Sequence, residues 1–385
     1  MPSYTKKMIT ENKDDTQWAE AVWPKMKAKM DAQLERIGSK VPYTLVNGRH
    51  NDKMETDLYW WTNGFWPGML WLMYQDTGDE KYKSTAEKIE ERFDLALDGY
   101  EGLHHDLGFM WTLTAGFDHK LTKNPRSRIR ALHAANLLAG RYNPRGHFIR
   151  AWNMDRTGWI IIDCLMNLPL LYWASKEIDD PRYGFIAMEH ADTALKCLLR
   201  PDGSCHHIGI LDPRSGELLE TPAGQGYAPG SSWSRGQSWG LYGFALSYIH
   251  TGEERYLEAS LKTAGYVLNE LSRTNYVPPV DYHQPKEPGR IDTSAGAIGA
   301  AGLLVLAGLE NNPQKDFCRE GAMKILRALE ADYADWDPQT DFILKMGGVQ
   351  YHEKNEALHQ PLIYGDYYFL ESLCRIRNPE LKIWE

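Results

Sequence analysis

Residues 158–199 read GWIIIDCLMNLPLLYWASKEIDDPRYGFIAMEHADTALKCLL, and this stretch decides the fold. It begins with an apolar segment, passes through the turn phrase EIDDPRY (177–183), and ends in a segment with charge on one face. A helix that is apolar all round must be surrounded by protein, whereas an amphipathic helix exposes one face to solvent. The stretch therefore predicts a buried helix, a tight turn and a half-exposed helix.

The same unit recurs along the chain. Similar turn phrases, each rich in Gly, Asn, Asp or Pro, occur at 76–82, 122–128, 250–256 and 310–316. Buried helices are predicted at 62–76, 107–121, 159–176, 234–250, 293–309 and 363–376. Half-exposed helices are predicted at 17–36, 80–97, 126–142, 183–199, 254–272 and 316–333.

Six buried and six half-exposed helices in alternation predict an all-α fold, an (α/α)6 barrel of six inner and six outer helices. No low-complexity linker interrupts the chain, so we expect a single domain over residues 1–385, with residues 1–16 as a flexible N-terminal extension. A helical solenoid is the alternative, but its buried helices would not cluster polar residues at one end.

The composition excludes several classes of partner. Of the 385 residues, 43% are hydrophobic, and the net charge is −9. Nucleic acids and anionic membrane surfaces attract basic proteins, so neither is an expected partner. The chain contains no run of about eighteen apolar residues, so no membrane span is expected. The five cysteines are odd in number and include no C-x-x-C pair, which favours reduced thiols and a cytoplasmic location.

Parallel inner helices bring their N-terminal ends to one face of a barrel, and two carboxyl groups fall there. Asp163 lies about one turn inside a predicted buried helix, where burial raises the pKa of a carboxyl group and makes it a proton donor near neutral pH. Asp106 opens another buried helix on the same face, and such an unequal pair is typical of glycosidic chemistry. The alternatives are a structurally satisfied carboxyl group for Asp163 and simple helix capping for aspartates such as Asp292.

Arg235, in the phrase SSWSRGQSWG (231–240), is a candidate anion receptor at the same face. A guanidinium group beside a helix N-terminus suits a carboxylate, although a structural salt bridge is the alternative. Trp233 and Trp239 flank it, and aromatic rings such as theirs stack on sugar faces when they do not simply build the core. The chain has no H-E-x-x-H or similar metal spacing and no phosphate loop, so neither a metal nor an organic cofactor is expected.

Six phrases carry a resemblance to a known family. They are WTNGFWPG (61–68), HHDLGFMW (104–111), IIIDCLMNLPLLYWA (160–174), GSSWSRGQSWGLYGFAL (230–246), DTSAGAI (292–298) and IYGDYYFLE (363–371). In this order and spacing the chain resembles the unsaturated glucuronyl hydrolases, glycoside hydrolase family 88, whose fold is an (α/α)6 barrel. The resemblance implies that Asp163 is the acid–base residue and Asp106 the second catalytic aspartate. It also implies a substrate pocket lined by Trp61, His105, Trp152, His207, Gln225, Trp233, Arg235 and Trp239.

The resemblance implies a glycosidase that releases a 4,5-unsaturated uronic acid from the non-reducing end of di- or oligosaccharides made by polysaccharide lyases. Because that sugar is an enol ether, hydration of its double bond is expected, without any cofactor. The alternatives are an unsaturated rhamnogalacturonyl or ulvan-type uronyl hydrolase and a non-catalytic protein that binds acidic oligosaccharides. The segment 351–360, which has Lys354 but no serine, favours unsulfated substrates.

Overall fold

The computed structural model describes residues 13–352 and 358–385, and within them the inner helices form a closed ring. The second inner helix has three parts, Leu107–Trp111, the π-helical turn Thr112–Gly116, and Phe117–Thr122. The other five inner helices are Phe65–Thr77, Leu168–Glu177, Ser234–Thr251, Thr293–Ala307 and Ile363–Arg377. Each packs against the next, and the sixth packs against the first. The predicted (α/α)6 barrel is confirmed.

The outer helices pack around this ring and alternate with the inner helices along the chain. They are Lys13–Ile37, Glu80–Gly99, Pro125–Ala139, Pro181–Cys197, Glu254–Leu271 and Lys315–Asp332. Three of the turn phrases supply the residue that caps the following outer helix. The side chains of Asp79, Asn124 and Asp180 each accept a hydrogen bond from the backbone N–H two residues later.

The third inner helix begins later than the sequence predicts. Residues Trp159–Ile161 form a strand and Ile162–Met166 form a 3-10 turn, so the α-helix covers only Leu168–Glu177. The prediction of one helix over 159–176 is therefore wrong in its first part. Asp163 lies in the 3-10 turn rather than one turn inside an α-helix.

Two physical causes account for this difference. The β-branched residues Ile160 and Ile161 suit a strand, and the strand finds an antiparallel partner in Ile208–Leu211. Pro169 lies in the first turn of the α-helix, where its missing N–H costs nothing. The partner strand is distant in the chain, so a pattern read within one segment does not reveal it.

Long connections surround the N-terminal ends of the inner helices, whereas short turns close the opposite end of the barrel. The long connections contain a short helix, Lys53–Thr56, a 3-10 turn, Trp61–Gly64, and four small antiparallel sheets. Three of the sheets have two strands: Leu45–Val46 with Arg49–His50, Tyr142–Asn143 with Phe148–Ile149, and Gly347–Gly348 with Leu358–Gln360. The fourth sheet has three strands, with Ile208–Leu211 in the centre between Trp159–Ile161 and Leu218–Glu220. These segments build the rim of the barrel mouth.

The first outer helix begins at Lys13, so residues 13–16, assigned above to a flexible extension, are helical. The single-domain assignment stays a prediction, as does the assignment of residues 1–12, which lie outside the described residues. Lys354 also lies outside them. No helix among the described residues is both long and apolar enough to cross a membrane.

Candidate active site

The structure brings Asp106 and Asp163 together at the barrel mouth through a shared neighbour. Asp106 precedes the second inner helix, and Asp163 lies in the 3-10 turn before the third. The amide nitrogen of Asn167 lies 3.2 Å from Oδ1 of Asp106 and 3.4 Å from the backbone carbonyl oxygen of Asp163. The two candidate catalytic residues therefore belong to one constellation, in which Asp106 is buried and Asp163 is half-buried.

Asp106 is surrounded by two histidine rings and an amide group. Its Oδ2 atom lies 3.0 Å from Nδ1 of His104 and 3.4 Å from Nε2 of His105, and its Oδ1 atom faces the amide of Asn167. Burial by itself raises the pKa of Asp106, but the interactions with His105, His104 and Asn167 outweigh burial and lower the pKa to about 2. Asp106 is therefore a carboxylate near neutral pH.

Asp163 has the opposite environment. Burial raises its pKa, the negative charge of Asp106 raises it further, and the charge of Arg235 opposes both, so the pKa reaches about 7. Its Oδ1 atom is buried and has no hydrogen-bond partner, and the nearest basic group is Nε2 of His207 at 3.8 Å. Asp163 is therefore an acid that holds its proton up to neutral pH and whose carboxyl oxygen is unengaged.

His207 is fixed in one tautomer by Gln225. The backbone N–H of Gln225 donates to Nδ1 of His207 over 3.0 Å, so the ring proton lies on Nε2, which faces Asp163. Burial, reinforced by the charge of Arg235, lowers the pKa of His207 to about 3, so the ring is neutral. Gly224 permits this contact: it has φ +60°, and a Cβ atom there would lie 2.0 Å from Nδ1 of His207.

Arg235 forms the structural ion pair that the sequence left open. Its NH1 group lies 2.7 Å from Oδ2 of Asp292, and its NH2 group donates to the carbonyl oxygen of Val349 over 2.6 Å. Asp292 also caps the fifth inner helix at Ser294, so the capping alternative for this aspartate is realised. Only Nε of Arg235 is buried without a partner, and the role of Arg235 as a carboxylate receptor stays a prediction.

The predicted aromatic residues fall at different depths. The Trp233 ring is buried and packs 4.3 Å from the His207 ring and 4.5 Å from the Arg235 guanidinium carbon. Trp61 and Trp152 are half-buried at the rim, and Trp61 packs 4.9 Å from the ring of Tyr364. Trp239 is fully buried beneath them.

The backbone N–H of the completely buried His105 donates to the carbonyl oxygen of Ala151 over 3.1 Å. Burial is also the largest influence on its ring and lowers the pKa of His105 to about 4, so the ring is neutral near pH 7. Neither ring nitrogen of His105 has a hydrogen-bond partner in the described part of the chain, and Nε2 lies 3.4 Å from Oδ2 of Asp106.

The first comparison with known proteins concerns the family. The model of Glycosyl Hydrolase Family 88 matches residues 34–248, more than half of the chain. The chain belongs to this family. It is therefore a glycoside hydrolase, and the resemblance stated from the six sequence phrases is confirmed.

Individual relatives match over nearly the whole length of the family 88 chain. An unsaturated glucuronyl hydrolase from Bacillus sp. (strain GL1) is 36% identical, with 91% of this chain and 94% of the relative covered. An unsaturated chondroitin disaccharide hydrolase from Streptococcus pyogenes serotype M1 is 33% identical, with 99% and 96% covered. The crystal structure of the Bacillus sp. GL1 enzyme, described as responsible for the degradation of glycosaminoglycan, superposes with a TM-score of 0.89 at 34% identity, covering 95% of this chain and 98% of that one.

Two residues at the site were missed by sequence reasoning, His104 and Asn167. His104 contacts Asp106 directly, and its place beside His105 in the chain was the available signal. Asn167 lies inside the apolar phrase around Asp163, four residues further on and two residues before Pro169, where a buried amide carries no functional pattern of its own. Its contact with Asp106 spans 61 residues of sequence and exists only in the folded chain.

His104, His105 and Asp106 are also the residues that could hold a metal ion. One potential ligand atom from each lies within 4.8 Å of the others. Both histidine rings already lie beside the Asp106 carboxylate, with Nδ1 of His104 at 3.0 Å and Nε2 of His105 at 3.4 Å from Oδ2 of Asp106. The family 88 chain also has a cavity of about 800 Å³ at the opposite end of the barrel, beside Tyr172 and His250, and it is lined by none of the predicted site residues.

Proposed function

We propose that this chain releases the non-reducing-end Δ4,5-unsaturated glucuronic acid from oligosaccharides made by polysaccharide lyases, by acid-catalysed hydration of the enol-ether double bond. Family membership and the names of the relatives support the reaction. The observation that carries the mechanism is the opposite protonation of two neighbouring carboxyl groups. The pKa is about 7 for Asp163 and about 2 for Asp106.

The first step is protonation of the double bond. Asp163 donates its proton to C4 of the unsaturated sugar, and the positive charge that develops at C5 is shared with the ring oxygen. A water molecule adds to C5, and the Asp163 carboxylate takes the proton that this water releases. One residue thus acts as acid and then as base, and it returns to its starting state.

The remaining steps need no further catalyst. The C5 hemiketal opens by cleavage of the bond between C5 and the ring oxygen, which leaves a ketone at C5 and a hemiacetal at C1. The hemiacetal expels the glycosidic partner as an alcohol and leaves an aldehyde at C1. The products are the shortened saccharide and a 4-deoxy-5-keto uronate, and one water molecule is consumed.

The neighbouring residues have supporting roles in this proposal. The Asp106 carboxylate accepts hydrogen bonds from the sugar hydroxyls and, by its charge, keeps Asp163 protonated. The rings of Trp61 and Trp152, which are half-buried at the rim, provide flat surfaces for the apolar face of the sugar. Arg235, whose Nε atom is buried without a partner, adds positive potential for the uronate carboxylate.

Deuterated water tests the chemistry. Hydration places one solvent deuterium at C4 of the product, whereas attack at the anomeric carbon leaves C4 untouched. Because C4 is next to the new ketone, product made in ordinary water and then held in deuterated water is the control for later exchange. Complete hydrolysis with no deuterium at C4 at early times would rule out the hydration route.

Asp163→Asn separates an enzyme from a protein that only binds acidic oligosaccharides. The amide cannot donate and regain a proton, so we expect kcat to fall at least about a hundredfold while substrate binding is kept. The loss of ultraviolet absorbance of the conjugated double bond measures turnover, and calorimetry measures binding. Asp155→Asn, an exposed residue of the neighbouring loop, is the matched control and keeps its activity. Wild-type turnover by Asp163→Asn would contradict the role of Asp163.

The parent polysaccharide is open to direct test. Unsaturated disaccharides from chondroitin, hyaluronan, heparin, gellan, ulvan and rhamnogalacturonan, with sulfated and unsulfated forms where they exist, can be compared by kcat/KM. We expect the glucuronyl-type substrates to be preferred, in line with the relatives. Turnover confined to the rhamnogalacturonan or ulvan fragments would instead favour the alternative within the same fold.

We also propose that the enzyme works in the cytoplasm. All five cysteines are free thiols and all are buried, which suits a reducing compartment. The expected partner is the oligosaccharide alone, since the net charge of −9 disfavours nucleic acid and anionic membrane surfaces. Fractionation of cells with detection of the chain measures its location directly.

A further inference from the structure

Asn167 joins the two elements that carry the candidate acid and its partner. It lies between the 3-10 turn Ile162–Met166 and the third inner helix, and its side chain is completely buried. Its Oδ1 atom accepts a hydrogen bond from the backbone N–H of Phe109 over 2.8 Å. Its Nδ2 atom donates to Oδ1 of Asp106 over 3.2 Å.

The orientation of this amide follows from its partners. The backbone N–H of Phe109 can only donate, so the oxygen of Asn167 must face it. The NH2 group then faces Asp106, where it stabilises the carboxylate and cannot serve a protonated carboxyl group equally well. The side chain therefore favours the charged form of Asp106.

The backbone around Asn167 is packed too closely for this arrangement to be incidental. A Cβ atom added to Gly108 would lie 2.3 Å from Cα of Asn167 and 2.5 Å from its carbonyl oxygen. The second inner helix thus approaches Asn167 at a glycine, and this approach brings the N–H of Phe109 and the carboxylate of Asp106 within reach of one amide.

We propose that Asn167 is a positioning residue that holds Asp106 as an oriented carboxylate and thereby keeps Asp163 ready to donate its proton. The inference rests on the proposed function, because it assigns a role in that reaction to a residue that touches no substrate. It adds the link between the two aspartates: the charge that raises the proton affinity of Asp163 is itself held in place by Asn167.

Other charged and titratable groups face the same pair and define what Asn167 contributes. Asp106 has electrostatic interactions with five titratable groups, which are His104, His105, Arg141, Asp163 and Cys164. Those that act on Asp163 include Asp106 and Arg235. Among the contacts of Asp106, Asn167 is the amide that also holds the helix backbone, so it fixes direction as well as charge.

Asn167→Asp tests this role with minimal change of shape. The substituted residue keeps an oxygen for the Phe109 N–H but places a second carboxyl group against Asp106, and the two cannot both be ionised at this distance without strong repulsion. We expect kcat to fall about tenfold to a hundredfold with KM changed by less than about threefold, because the carboxylate is misplaced rather than the substrate pocket rebuilt. We also expect the pair of carboxyl groups to take up a proton at or above about pH 4, the ordinary carboxyl range, so that kcat/KM falls on acidification in a range where the wild type shows no fall.

Asn312→Asp is the matched control. Asn312 is also a buried asparagine, and it too donates to a backbone carbonyl and accepts from a backbone N–H, each over 2.8 Å, but it lies at the opposite end of the barrel. This variant is expected to keep the wild-type pH profile. If Asn167→Asp does not fold, Asn167→Ser, which also loses the amide donor, carries the same kinetic test.

The result that would overturn the proposal is a wild-type pH profile together with a kcat within about threefold of wild type for a folded Asn167 variant. That outcome, with Asp163→Asn still inactive, removes the role of Asn167 and leaves the proposed function standing. A wild-type enzyme that turns over none of the unsaturated disaccharides removes the proposed function itself. The two failures are therefore distinguishable.

Discussion

Asp163 and Asp106 are the same side chain held in opposite protonation states. Asp163 must be protonated to donate, and its pKa is about 7, so kcat/KM is expected to fall about tenfold for each pH unit above that value. On the acid side activity persists until Asp106, with a pKa of about 2, gains a proton or the protein unfolds. A kcat/KM profile measured from about pH 5 to about pH 9 tests the expected fall above the pKa of Asp163 directly.

Two of the histidines at the site, His105 and His207, do not explain such a profile. Burial lowers the pKa of His105 to about 4 and that of His207 to about 3, so neither ring changes charge near neutrality. His207→Gln, which keeps a side-chain hydrogen-bonding group beside Asp163 without a titrating ring, is the control. We expect its basic limb to remain close to that of the wild type, and loss of the limb would assign the titration to His207.

At the scale of elements, the close approach of the second and third inner segments depends on Gly108. In Gly108→Ala the new Cβ would meet Cα of Asn167 at 2.3 Å, so one backbone must move. We expect a loss of about 1–3 kcal/mol in the free energy of unfolding and a lower kcat, since Asp106 and Asn167 separate. Urea unfolding and steady-state kinetics measure the two effects.

Gly265→Ala is the matched control for this substitution. Gly265 lies in the fifth outer helix, and a Cβ atom there has no neighbour within 4 Å. Alanine favours a helix over glycine by up to about 1 kcal/mol, so this variant should be as stable as the wild type or more so. Equal behaviour of the two variants would show that the close approach at Gly108 carries no strain and no functional role.

At the scale of the whole molecule, a buried carboxyl group connects four helical segments of the barrel. Glu90, on the second outer helix, accepts from Nε1 of Trp71 over 2.9 Å and contacts Oγ of Ser127 at 3.1 Å, and Ser127 also bonds Asp118. Burial, reinforced by the charge of Asp118, raises the pKa of Glu90 to about 8. One hydroxyl proton cannot serve both carboxyl groups, so the protonated Glu90 donates to Ser127 while Ser127 donates to Asp118.

This network predicts a pH-dependent contribution to stability. The folded chain binds the Glu90 proton more tightly than the unfolded chain, so its contribution falls as pH rises from the ordinary value of 4.5 to about 8. Glu90→Gln imitates the protonated form, so as pH rises over that range its free energy of unfolding should increase relative to the wild type by at most about 1.4 kcal/mol per pH unit. Urea unfolding at several pH values, with exposed Glu91→Gln as control, measures the difference, and a difference independent of pH contradicts the assignment.

The sequence by itself determined the barrel, because helical periodicity and turn residues are local properties, and it placed Asp106 and Asp163 at one end of parallel inner helices. It also located twelve helices to within a few residues, except where the third inner helix gives way to a strand. The sequence also predicted Asp163 as the proton donor, but only the tertiary structure decided which groups lower the pKa of Asp106, that Arg235 is paired with Asp292, and that Asn167 joins the two aspartates. Burial and through-space charge depend on contacts such as that between Asn167 and Asp106, 61 residues apart, and no local pattern encodes them.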